Sequence, residues 1–241
     1  MKFLKTKIVS FIILSFLFVL SGNLKAQSLD FGIIGGLNFS SHLNSFRFAD
    51  RDISLDLEPQ MSFSYQAGLI LRKNISPTFR LHLEPTFIQL GATYNELFTL
   101  RGFELQTESQ TRLSYIQLPL LVQLTTRTPQ EVVYGRPQIS TTYHMTGGVF
   151  GGYLLDARFT GTNTGAPIGV SYRGDFSNDV MSQYSTYDGG VILGLGLEHG
   201  QSKRVGLETR AQYSVLGSGD APNLQFEPQN IAVMLSVYLI L

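Results

Sequence analysis

The chain has 241 residues with 18 basic and 18 acidic side chains, a formal net charge of zero, and no cysteine. That composition excludes a cysteine-linked lipid anchor, a disulfide framework and a thiolate metal site, and it offers no basic surface for a nucleic acid. Charged residues make up only 15% of the chain, against roughly 25% in ordinary soluble domains, while 24 residues are glycine and 12% are aromatic.

Lys2, Lys5 and Lys7 precede an apolar stretch at 8–20, followed by a polar segment that ends in the small residue Ala26. This is the layout of a secretory signal peptide, and the apolar stretch is shorter than the roughly 18–20 residues of a spanning helix. The expected organisation is a cleaved signal at 1–26 and a single domain at 27–241. No later apolar run is long enough to span as a helix, so the remaining signal is period-two alternation over segments of about ten residues.

In chain order, 29–39 places Phe31, Ile33, Gly35, Leu37 and Phe39 on one face, and 63–71 sets Phe63, Tyr65, Ala67, Leu69 and Leu71 against Ser64, Gln66, Gly68 and Ile70. Segment 79–94 puts His82, Glu84 and Thr86 opposite Leu81, Leu83, Pro85 and Phe87. Segment 112–124 puts Tyr115, Gln117, Pro119 and Gln123 opposite Ile116, Leu118, Leu120, Val122 and Leu124. Segment 143–155 is blurred by Gly147, Gly148, Gly151 and Gly152. The last three are the clearest. Val191, Leu193, Leu195 and Leu197 oppose Gly194, Gly196 and Glu198; Val205, Leu207, Thr209, Ala211, Tyr213 and Val215 oppose Glu208, Arg210 and Gln212; Val233, Leu235 and Val237 oppose Met234, Ser236 and Tyr238.

These segments predict an all-β fold: an eight-stranded antiparallel up-and-down transmembrane barrel. Pro85 and Pro119 conflict with a continuous ladder, since proline cannot donate, and a bulge or unpaired position is expected at each. The links near 73–78 and 199–203 are short. Those near 40–61, 95–110, 156–186 and 217–228 read as long polar loops, and 127–138 is intermediate. Such asymmetry places short turns in the periplasm and long loops outside.

The order of several short motifs resembles the PorT-type outer-membrane β-barrel family common in Bacteroidota. They are Gly32-Ile33-Ile34-Gly35-Gly36-Leu37-Asn38-Phe39, Leu83-Glu84-Pro85, Tyr115-Ile116-Gln117-Leu118-Pro119-Leu120-Leu121, Gly151-Gly152-Tyr153-Leu154-Leu155 and Asp188-Gly189-Gly190 leading into Leu193-Gly194-Leu195-Gly196-Leu197-Glu198. The resemblance implies an eight-stranded barrel in the outer membrane and a link to envelope or secretion machinery. Barrels of that kind usually end on an aromatic residue, whereas here the sequence reads Tyr238-Leu239-Ile240-Leu241.

The candidate site is the interior polar group His82, Glu84, Gln117, Glu198, Glu208 and Arg210, read as a structural ion-pair plug because eight strands leave a lumen just wide enough for side chains. No catalytic residue, cofactor or metal is expected: His42, His82, His144 and His199 lack metal-site spacing, no nucleophile elbow occurs, and no helix signal follows the glycine pairs. Glycines on the inward face read as room for larger neighbours. The acidic residues Asp50, Asp52, Asp56, Glu58, Asp175 and Asp179 read as solvated loops. The expected partners are outer-membrane lipid and envelope or secretion proteins met through the outer loops. Two alternatives stay open. One is a narrow channel for small solutes; the other is a soluble lipocalin-like barrel, which would carry its aliphatic residues inside.

Overall fold

The computed structural model describes residues 29–44, 46–50, 53–100, 103–126, 132–133, 136–137, 139–166, 171–201, 203–216 and 229–241. The expected signal peptide at 1–26 and the link at 217–228 lie outside the described residues.

Eight walls hydrogen-bond into a closed antiparallel ring. They are β1 (Leu29–His42), β4 (Gln60–Ser76), β5 (Phe79–Leu83) continued by β6 (Thr86–Leu100), β7 (Phe103–Thr125), β10 (Ser140–Gly165), β12 (Tyr187–Gly200), β13 (Arg204–Ser214) and β14 (Asn230–Ile240). The ring closes where β1 pairs with β14, from Gly32↔Ile240 to His42↔Asn230. The remaining strands are short: β2 (Phe46–Asp50), β3 (Ile53–Leu57), β8 (Val132–Val133), β9 (Arg136–Pro137) and β11 (Tyr172–Asp179).

The alternation sets the two faces as hydrocarbon outside and side-chain fill inside. Val191, Leu193, Leu195 and Leu197 on β12 are exposed, as are Val205 and Leu207 on β13 and Val233, Leu235 and Val237 on β14, whereas Glu198, Glu208 and Arg210 are buried. The blurred segment proves regular: Tyr143, Met145, Val149, Tyr153 and Leu155 face out and His144, Thr146, Phe150 and Leu154 face in. After a register shift between Leu154 and Asp156 the phase changes, and Ala157 is the buried residue. One extra residue in a strand flips its faces in this way.

The two prolines fall at a single break. The ladder of β7 runs Leu83↔Leu120 on one side of it and Thr86↔Gln117 on the other. Glu84 N donates to Pro119 O (3.0 Å) and Leu69 N to Pro85 O (3.0 Å). Pro119 has no N–H to return to Glu84, and the hydroxyl of Thr86 donates to the Glu84 carbonyl instead (2.8 Å). A proline is thus accommodated within a closed sheet by a side-chain donor one step along.

The long-loop expectation needs correcting. Segment 95–110 is not a loop: β6 and β7 stay paired up to Leu100↔Phe103. Much of 156–186 is strand as well, with β10 paired to β7 as far as Gly165↔Leu105 and β11 laid against it from Arg158↔Asp179. Segment 40–61 holds the β2–β3 hairpin, which joins β6 through Ile53↔Leu100. Beyond the ring the ladder is supported by polar side chains, such as Thr107 to Asn163 (2.8 Å) and Thr162 to Asp175 (2.7 Å). Neither face there needs to be apolar, so the alternation that marks a half-buried strand is missing.

Inward glycines fit the largest lumen side chains. A Cβ on Gly206 would fall inside the Tyr238 ring, and one on Gly194 would lie 2.8 Å from Arg210 Cγ. Outward-facing Gly151 would meet nothing within 4 Å. Gly206→Ala is therefore expected to lower stability by about 1–3 kcal/mol through overpacking while Gly151→Ala stays within about 0.5 kcal/mol of the parent, read by urea unfolding of the refolded protein in lipid vesicles. Equal effects would contradict this packing.

Candidate functional site

Two buried charge clusters fill the lumen. The first lies toward the short-turn end and centres on Glu198, inward on β12 and 0% exposed. Arg72 Nη1 donates to its Oε2 (2.6 Å), Arg204 Nη1 to its Oε1 (2.9 Å), Arg80 Nη1 to its Oε1 (3.3 Å) and the Tyr238 hydroxyl to its Oε2 (3.2 Å). Arg72 also holds Asp30 (3.1 Å), and Arg80 reaches the Gln123 carbonyl oxygen (3.1 Å). These arginines come from β4, β5 and β13, so the cluster ties distant parts of the ring together.

The second cluster lies nearer mid-lumen and centres on Arg210. Its guanidinium grips Glu84 with both terminal nitrogens, Nη1 to Oε2 by a short bond and Nη2 to Oε1 at 3.0 Å, while Nη2 also donates to Glu208 Oε2 (2.8 Å). His82 Nδ1 sits 3.2 Å from Glu84 Oε1. His144 Nε2 lies 3.7 Å from Glu208, an electrostatic contact too long for a hydrogen bond. The His144 ring also packs near Tyr238, centroids 6.2 Å apart, and so joins this cluster to the first. Buried carboxylates persist only with such pairing.

Toward the hairpin end the fill turns apolar. Ile88, Leu90, Leu113, Tyr115, Leu154 and Met234 form a core that Val180 and Tyr184 close from beyond β11. Val180 is fixed by its N–H to Ala157 O (3.1 Å). At its edge Asp188 accepts from Ser214 Oγ (2.9 Å) and Asn230 Nδ2 (3.4 Å), and His42 Nδ1 meets the Tyr94 hydroxyl (2.8 Å).

Of the residues expected in the interior group, the structure brings His82, Glu84, Glu208 and Arg210 into one cluster. It places Glu198 in the other. Gln117 is buried above the Arg210 cluster, with its Nε2 unbonded. Arg72, Arg80, His144 and Asp30 were not singled out from sequence. Arg72 has the parity of Gln66 and Ile70, one inward step past the segment 63–71, and Arg80 has that of His82 and Glu84 within 79–94, so parity carried through finds both. Of the acidic loop residues, Asp50, Asp52 and Asp56 have no described side chain. The Glu58 N–H donates to the Glu96 carboxylate, and Asp179 Oδ1 accepts from Met181 N (2.9 Å). Among the described residues no three His, Asp or Glu side chains gather as a metal-ligand set.

A ring that is greasy outside and ionised within has the polarity of a transmembrane β-barrel, since a soluble barrel of this kind would leave its whole outer belt as an exposed apolar patch. The chain belongs to the Outer membrane protein beta-barrel domain family, whose sequence pattern matches residues 25–217. No curated protein sequence matches it. Among solved structures, the attachment invasion locus protein Ail of Yersinia pestis, in complex with the heparin analogue sucrose octasulfate, is 10% identical with a TM-score of 0.37, over 89% of this chain and 99% of that one. Ail without that ligand gives 10% identity and a TM-score of 0.35 over the same shares of the two chains. In-vitro folded OmpT of Vibrio cholerae, in its trimer form, gives 10% identity and a TM-score of 0.14 over 88% of this chain and 99% of that one.

Proposed function

We propose that the protein resides in the outer membrane of a Gram-negative cell as a PorT-type barrel with a closed lumen. In this reading it conducts no solute and catalyses no reaction. It acts as a structural or interaction barrel that presents rigid β-hairpins to envelope or secretion proteins. The observation that carries this is the double charge cluster: three arginines converge on Glu198 and one arginine bridges Glu84 and Glu208. With the apolar core above them, these side chains occupy the space a channel would need.

The outer surface supports a membrane setting. On β10 the exposed tyrosines Tyr143 and Tyr153 bracket the apolar stretch. Ten residues of strand rise about 33 Å. At the usual tilt of such strands that is about 25 Å of height, the size of the lipid-facing band with its aromatic girdles. The hairpins β2–β3, β6–β7 and β10–β11 all leave the ring at the end opposite its short turns.

In planar bilayers the refolded protein is expected to give no conductance steps, and on a gel its folded and heated forms are expected to migrate differently. Ion steps from the parent protein would replace the closed reading with the channel alternative. Trypsin added to intact cells is expected to cut at exposed Arg173 on β11 and to spare Arg72, Arg80 and Arg210 in the lumen. A protein recovered soluble from the periplasm would end the membrane reading.

A further inference from the structure

Three glutamines from three walls converge just above the Arg210–Glu84 pair: Gln66 on β4, Gln117 on β7 and Gln212 on β13, all buried. With Thr86 and the ion pair they line a cavity of ≈ 10 Å³. Gln66 is held by Ser236 Oγ (2.6 Å). The others are incomplete: Gln117 Nε2, both carboxamide atoms of Gln212 and Arg210 Nε have no protein partner. Folded proteins rarely leave buried polar groups unmet, and finding several around one void calls for an occupant.

We infer that this cavity binds a single ordered water molecule shared by Gln117, Gln212 and Arg210. The space matches one water, and three bonds, one to each side chain, are what a buried water typically makes. The chemistry selects the species. Three of the open groups are N–H donors and one is a carbonyl acceptor. A halide ion would use the donors alone and would face the Glu84 carboxylate in the same wall. A metal cation would meet those three donors, one of them on a guanidinium. Water donates and accepts: it can accept from Gln117 Nε2 and Arg210 Nε while donating to Gln212 Oε1, one bond to each of the three side chains. The rest of the lining, including Ile34, Ile192 and Met234, offers no competing polar group. The water joins the carboxylate–arginine cluster below to the glutamines above it, and it hydrates the lumen without opening a path.

The test is a crystal structure of the refolded full chain, grown with bromide replacing chloride, at a resolution that shows ordered waters. The expected result is one oxygen-sized peak within hydrogen-bonding reach of Gln117 Nε2, Gln212 and Arg210 Nε, with no bromide anomalous signal. An empty cavity or a bromide peak there would overturn the proposal. In detergent micelles, the side-chain amide protons of Gln117 are expected to give a cross-peak to a long-lived water. Absence of that cross-peak in the parent protein would also count against it.

Discussion

Replacing Arg210 by methionine is expected to destabilise the barrel by about 3–5 kcal/mol, the usual result of removing one partner from a buried ion pair. The two carboxylates that Arg210 grips, Glu84 and Glu208, are 1% exposed each, and without the guanidinium they are left with only the His82 and His144 rings beside them. The variant should unfold at lower urea in lipid vesicles and show less of the heat-modifiable band. The triple variant Glu84→Gln, Glu208→Gln, Arg210→Met removes the charges together and should recover most of the loss, because the penalty lies in unpaired charge and not in the missing pair. Arg204→Ala should do less harm: Arg204 is the most exposed of the three arginines on Glu198, and Arg72 and Arg80 still hold it. If Arg210→Met unfolds at the same urea concentration as the parent, the cluster is no structural plug.

The second large effect concerns the outer face. Leu193 lies midway along the exposed run of β12 between Tyr187 and Leu197 and is 62% exposed. In lipid, Leu193→Arg should cost about 2–4 kcal/mol, as an arginine at the bilayer midplane does, while Val215→Arg at the rim should cost about 0–1 kcal/mol. A depth-dependent penalty arises only if hydrocarbon is the solvent. In water both substitutions would put a charge on an exposed strand surface and change stability little. Equal and small effects in vesicles would therefore refute the membrane setting whatever the lumen contains.

The sequence disclosed the faces of the strands better than their extent or their neighbours. Parity along β12 and β13 is enough to turn Glu198, Glu208 and Arg210 to one side, because outward aliphatics alternate with them without a gap. On β10 the same reading weakens, since outward Gly147 and Gly151 leave no aliphatic marker, and inward His144 is lost with them. Parity also cannot say which inward residues meet. The partners of Glu198 stand on β4, β5, β13 and β14, and their common height follows from the stagger of the whole ring. That stagger is set by the register of every pairing together and by no single segment. The hairpins beyond the band read as loops for a different reason: their faces carry Thr, Ser and Asn even where they are buried, as at Thr107 and Ser109, so polarity there carries no information about the backbone.

The pairing of β1 with β14 also bears on how the molecule forms. These two strands are nearly the whole described chain apart in sequence, yet eleven residue pairs from Gly32↔Ile240 to His42↔Asn230 depend on their meeting. Bringing such distant segments together carries most of the loop-closure entropy in advance of its reward, which makes assembly slow. Until that seam zips, both flanking strands offer unsatisfied amides and carbonyls to any other extended chain. Maturation should thus be a single late event: an open, aggregation-prone sheet persists until its first and last walls join, and only then do Arg72 and Arg80 reach Glu198 and Arg210 reach Glu84.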